Sequence, residues 1–141
     1  MNSPTVLNAY FNFSQFYNGR AKDLKDQVSG PIENSVEMNN TIQNVLEYLQ
    51  KDSSYTLAFH KNYNGISEEA FNDAIAEFEK ALTTPNSKFD LFLRSKVKLS
   101  EEETRGYQLF KELGCISCHN GVNVGSNMYQ KIGVFGDFSK H

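Results

Sequence analysis

Apolar residues along this chain recur mostly at helical spacing, and the pattern predicts an all-α protein. Residues 1–20 are predicted irregular, with Pro4 early and a turn at Asn18-Gly19. Ala21–Ser29 is predicted as a short helix burying Leu24 and Val28, stopped by Gly30-Pro31. Thr41 can cap a helix that buries Ile42, Val45, Leu46 and Leu49. Tyr55–Tyr63 reads as another short helix, closed by Asn64-Gly65. Ser67 then caps a helix with Phe71, Ala74, Ile75, Phe78, Ala81 and Leu82 along one face, and Pro85 follows it. Phe89, Leu91, Phe92 and Leu93 form a shorter apolar cluster. Ser100-Glu101-Glu102-Glu103 is a capping box that opens a helix carrying Tyr107, Leu109, Phe110 and Leu113, and Gly114 ends it.

The residues just after that helix change the picture. Cys115-Ile116-Ser117-Cys118-His119 holds the chain's only two cysteines. C-x-x-C-H is the attachment signature of a c-type haem: two thiols bond the porphyrin, and the histidine supplies an axial nitrogen to iron. A thioredoxin-like redox pair would need a βαβ setting, which the pattern lacks. A zinc site needs four ligands, and beyond His119 the chain offers only His60 and His141 as further histidines. A structural disulfide would explain neither the helix-glycine lead-in nor His119. Residues 120–137, rich in Gly, Asn and Val, are expected to form a loop around the haem. Candidates for a sixth iron ligand are Met38, Met128, His60 and His141. Met128 follows His119 too closely to reach the opposite face, His60 sits in a polar stretch and His141 is terminal, so the ligand is expected outside the chain or the site open.

Composition narrows the class of partner. The net charge of -3 argues against nucleic acid or an anionic membrane. No apolar run approaches the roughly 18–20 residues of a membrane-spanning helix. Met1-Asn2-Ser3-Pro4 lacks the basic and apolar regions of a signal peptide, so an export signal is expected to have been removed, or the chain to have been cut from something larger. Trp is absent, but eleven Phe and seven Tyr supply aromatic bulk.

Several blocks in series carry a resemblance. They are Asn2-Ser3-Pro4-Thr5-Val6-Leu7-Asn8-Ala9, Phe16-Tyr17-Asn18-Gly19-Arg20-Ala21, Gln27-Val28-Ser29-Gly30-Pro31-Ile32 and Val36-Glu37-Met38. Phe110-Lys111-Glu112-Leu113-Gly114-Cys115 then runs into Cys118-His119-Asn120-Gly121-Val122. Together they make nearly the whole chain resemble the bacterial di-haem cytochrome c peroxidases. That resemblance implies cytochrome c-like helical domains with long irregular loops, and a periplasmic enzyme. It implies reduction of hydrogen peroxide to water with electrons from a small c-type cytochrome or cupredoxin, a calcium ion between two haem domains, and often a homodimer. Residues 1–86 would be the later part of the peroxidatic domain. Residues 87–141 would begin the electron-transfer domain, with Cys115, Cys118 and His119 holding its haem. The family's first C-x-x-C-H is expected upstream of Asn2 and the electron-transfer methionine beyond His141, so the chain alone is expected to lack peroxidase activity.

By the same resemblance, Glu37 and Gln27 match the catalytic pair on the peroxide side, and Asn2 matches a calcium ligand through its side-chain oxygen. The chemistry suits those residue types. Cleaving O–O needs a base that takes a proton from one oxygen and returns it to the other, and an amide beside it can orient the peroxide. Tyr17-Asn18 departs from the family's Trp-Asp, whose indole lies between the haems; a tyrosine ring is kept but the indole is not. The competing reading is a mono-haem electron carrier without peroxide chemistry, which has no need of the Gly30-Pro31…Glu37-Met38 loop. A third is a structural or regulatory fragment.

Overall fold

The computed structural model describes residues 3–129. Among the described residues six helices follow one another: α1 (Leu24–Glu33), α2 (Ile42–Lys51), α3 (Ser53–Asn62), α4 (Glu68–Ala81), α5 (Lys88–Leu93) and α6 (Glu101–Glu112). Short 3-10 turns lie at Ala9–Phe11 and Cys115–Ser117. Among the described residues there is no strand, only an isolated bridge between Gln15 and Ala21. The expected all-α class is thus what forms. The chain divides into two units. One holds Ser14–Thr84 with the residues up to Tyr10, and the other holds Phe11–Phe13 with the residues from Pro85 onward.

In the first unit, every helix starts on a side chain that accepts a hydrogen bond from an otherwise unpaired N–H: Asp23, Thr41, Asp52 and Ser67. Val28, Ile32 and Ile42 form the core, with Val45, Leu46, Phe71 and Ile75 packed against it. A second cluster joins Ala9, Leu24 and Ala76. The N-terminal segment is tied to the end of α4, where the Asn8 amide donates to the Leu82 carbonyl (2.8 Å) and the Asn8 and Thr84 side chains pair.

Two sequence expectations fail here. Gly30-Pro31 does not stop α1, which runs on to Glu33. An internal proline costs about 3 kcal/mol because it removes one hydrogen bond and crowds the preceding turn. Burial of Ile32 in the core, worth about 1.5–3 kcal/mol, opposes that cost and holds the helix past it. On α4 the buried positions are Ala70 and Ala76, whereas Phe78 is 63% exposed. α4 packs chiefly on α1, and a close approach of two helices selects alanine and turns the phenylalanine away.

Lys25 on α1, Asp73 on α4 and Tyr63 between α3 and α4 form one polar network. Lys25 pairs with Asp73, and the Tyr63 hydroxyl donates to the Asp73 carboxylate at 2.9 Å. The hydrogen bond from Lys25, and then that from Tyr63, hold the Asp73 carboxyl below its usual 3.8. A depressed carboxyl contributes stability above its unfolded pKa and loses it as pH falls through the folded one. Asp73→Asn is therefore expected to flatten the loss of stability below about pH 4, which urea titrations at several pH values would read. An unchanged slope would remove Asp73 from acid stability.

In the second unit, α5 and α6 both open on full capping boxes, Ser87 with Asp90 and Ser100 with Glu103. Phe89 and Phe92 of α5 each meet Tyr107 of α6 edge to face, with Phe89 and Tyr107 centroids 5.3 Å apart. Lys88 bonds Glu103 at 2.8 Å across the same helix pair. The Phe13 amide donates to the Ser126 carbonyl (2.9 Å), and Asn123 donates to Asn12 (2.7 Å). None of this unit's described residues is buried. Among the described residues no helix is long and apolar enough to cross a membrane.

Candidate functional site

α6 delivers the chain to the cysteine motif through Gly114, whose φ of +81° lets the backbone reverse at the helix end. Nothing lies within 4 Å of where a Cβ would stand there. The cost of Gly114→Ala is therefore backbone strain alone, about 1–2 kcal/mol, expected as a lower thermal midpoint with an unchanged far-UV spectrum. A midpoint matching that of the parent sequence would show that the turn is not held in this conformation.

Cys115–Ser117 then forms a single 3-10 turn. The Cys118 and His119 amides both donate to the Cys115 carbonyl, at 3.2 and 2.9 Å. This turn brings Cys115, Cys118 and His119 together, and both thiols are free and exposed.

The loop that follows folds back over the histidine. Nδ1 of His119 lies 3.2 Å from the Val124 carbonyl oxygen. A carbonyl can only accept, so Nδ1 carries the proton and Nε2 keeps its lone pair for a ligand. The loop is closed by its own backbone: the Val124 amide donates to Gly121 (3.1 Å) and the Gly125 amide to Asn120 (2.8 Å). The Asn120 side chain donates to the Ile116 carbonyl at 3.1 Å. Gly125, at φ +147°, lies beside the ring, where a Cβ would stand in ordinary contact, 3.6 Å from Nδ1. The role of the Val124 carbonyl was not visible in the sequence, because a backbone acceptor has no residue signature. The bracketing glycines, Gly121 and Gly125, are the signal that pointed to this stretch.

The donor set suits a covalently attached haem. Two exposed thiols are offered on one turn, with an imidazole whose free nitrogen is fixed by an outer hydrogen bond, as metal-ligating histidines are. Leu109, Leu113 and Ile116 lie exposed around the motif, an apolar surface of the kind a porphyrin covers.

The remaining candidates lie elsewhere. Gln27 is partly buried on α1, and Glu37 is exposed in the turn after it, its amide bonded to the Asn34 carbonyl at 3.0 Å. Tyr17 stands 69% exposed at the tip of the turn that Gln15 and Ala21 close. Met38 and Met128 are 65% and 41% exposed, and His60 is exposed in the last turn of α3. Asn2 and His141 lie outside the described residues.

Residues 1–98 match the family model described as di-haem cytochrome c peroxidase. The chain belongs to the di-haem cytochrome c peroxidase family. Cytochrome c551 peroxidase of Nitrosomonas europaea is 45% identical over 138 residues, covering 96% of this chain and 41% of the relative. Cytochrome c551 peroxidase of Pseudomonas aeruginosa is 44% identical, covering 94% and 40%. Cytochrome c peroxidase Ccp of Escherichia coli K12 is 42% identical, covering 99% and 30%. The chain thus spans at most about two fifths of the length of these relatives. A solved structure of a MauG-like protein associated with microbial copper homeostasis superposes with a TM-score of 0.74 at 20% identity. It covers 92% of this chain and 42% of that one, and shows the fold alone. Membership in the di-haem peroxidase family carries c-type haem with it.

Proposed function

We propose that the protein carrying this chain is a periplasmic peroxidase that reduces hydrogen peroxide to water with electrons from a small c-type cytochrome or cupredoxin. What carries the reading is the 42–45% identity to relatives named as cytochrome c peroxidases over nearly all of this chain. In it, residues 1–86 belong to the peroxidatic domain and residues 87–141 to the electron-transfer domain.

Haem bound at Cys115 and Cys118 supplies a one-electron iron couple. The chain's own part at that end is to hold it. The two thiols anchor the porphyrin, and His119 presents Nε2 while the Val124 carbonyl keeps the ring in orientation. On the peroxide side, the Glu37 carboxylate takes a proton from one peroxide oxygen and returns it to the other. The Gln27 amide donates a hydrogen bond that orients the peroxide. Glu37 is exposed on a short turn, so peroxide and water reach it without displacing packed side chains. Asn2 contributes to a calcium site in the same proposal. A second copy of the protein is a partner too, since Leu57 on α3 and Phe78 on α4 present apolar side chains to solvent.

The test is peroxide-dependent oxidation of a reduced c-type cytochrome or cupredoxin by the haem-loaded protein that carries these residues. Turnover that saturates with both substrates is the expected result. Reversible donor oxidation that is indifferent to peroxide would leave an electron carrier and overturn the proposal.

A further inference from the structure

The second half of α1 is the weak part of that helix, yet the turn bearing Glu37 hangs from it. Pro31 has no N–H, so the Gln27 carbonyl is denied its helical donor. Gly30, just before it, adds backbone freedom. The Asn34 amide donates to the Gly30 carbonyl (3.1 Å), the Met38 amide to Pro31 (3.2 Å) and the Asn40 amide to Ile32 (2.9 Å). Three consecutive carbonyls of this weak turn therefore suspend residues 34–40.

A clamp lies across it. The Phe16 ring is pressed against Gly30, where a Cβ would stand only 2.8 Å from the ring's Cζ. The Arg20 guanidinium lies 3.4 Å from the centroid of the same ring, and Nη1 of Arg20 donates to the Asn18 side chain at 3.1 Å. The loop carrying both residues is closed by the Gln15–Ala21 bridge (2.8 Å), and Gln15 is itself buried and bonded to the Ala9 carbonyl. Phe16 holds φ +64°, a strained conformation for a bulky side chain. Such strain persists only where the surroundings impose it, and it points to a functional constraint.

We infer that Phe16, Arg20 and Gly30 are positioning residues for the peroxide site: the Arg20-capped Phe16 ring pins Gly30, and through the Gly30–Ile32 carbonyls it fixes the turn that presents Glu37. The inference rests on the catalytic reading of Glu37, but its first readout does not.

That readout is amide hydrogen exchange in the haem-loaded full chain. Gly30→Ala and Phe16→Leu are each expected to speed exchange at the Asn34, Met38 and Asn40 amides by about tenfold, with α4 unchanged. The double variant is expected to be no faster than the faster single, because both remove one contact. Arg20→Met removes only the cap and carries the same test where Gly30→Ala fails to fold, and Arg20→Lys is expected to recover part of the protection. Unchanged exchange at those three amides, or an equal rise through α4, overturns the clamp. In the peroxide assay Arg20→Met is expected to lower kcat about tenfold with the KM for the donor unchanged. Exchange that quickens while Glu37→Gln proves inert supports the clamp and sinks the catalytic reading alone.

Discussion

Serine at both thiol positions, Cys115→Ser with Cys118→Ser, is expected to give a polypeptide whose intact mass lacks one haem and whose haem is lost entirely to acid-acetone. The effect is all or none, because a hydroxyl is far too weak a nucleophile to replace the thiolate in the bonds that anchor the porphyrin. His119→Ala is expected to act differently. The thioether anchors stay, the intact mass keeps its haem, and the optical spectrum shifts because the imidazole Nε2 is gone. Loss of haem should also be felt beyond the motif. None of the described residues of the second unit is buried, and Leu109, Leu113 and Ile116 lie exposed around the attachment turn. Without the porphyrin those side chains stay in water, so the double serine variant is expected to melt lower than the haem-loaded protein. A double serine variant that keeps haem through acid-acetone would end the assignment.

Glu37→Gln is expected to slow peroxide reduction by about 10²- to 10⁴-fold in the protein that carries this chain. The amide matches the carboxylate in shape and cannot take up a proton at neutral pH. The substitution is clean for a structural reason. Glu37 is exposed, and the bond that builds its turn is made by its backbone amide to Asn34, which the change leaves intact. Stability is therefore expected to move by less than about 0.5 kcal/mol, and the haem spectra to stay as they were. Steady-state rates at saturating donor, beside a thermal melt, separate the two effects. An unchanged rate would take Glu37 out of the mechanism.

Three helix starts are readable in the sequence, while those of α1 and α3 lie a few residues from where the apolar pattern puts them. Thr41, Ser67 and Ser100 are caps in the structure as in the sequence, because capping is a local bargain between one side chain and the next three amides. α1 runs past Gly30-Pro31, against the sequence expectation, because the residues that carry it onward are distant: Ile42 covers Ile32, and Phe16 presses on Gly30. The expected burial of Phe78 failed for a related cause. Helical period tells which residues share a face of α4, but not that α1 lies closest at Ala70 and Ala76, which are buried while Phe78 is left in solvent.

At the site, the division falls in the same place. Cys115, Cys118 and His119 stand out as candidates in the sequence because attachment chemistry demands those residue types at that spacing, within one turn of chain. Which nitrogen of His119 stays free was not legible. It depends on the Val124 carbonyl, and a backbone oxygen is the same in every residue. Gln27 and Glu37 could be named from the resemblance of the blocks around them. How Glu37 is held could not, since that rests on hydrogen bonds from residues 34–40 to the carbonyls of Gly30, Pro31 and Ile32, and on a Phe16 ring that arrives from another loop. By itself the sequence determined the helical class, the Thr41, Ser67 and Ser100 caps and a C-x-x-C-H turn with the residue types that haem attachment needs, all set by interactions between near neighbours. Only the tertiary structure decided the length of α1, the face of α4, the tautomer of His119 and the support under Glu37, because each depends on which distant atoms come into contact.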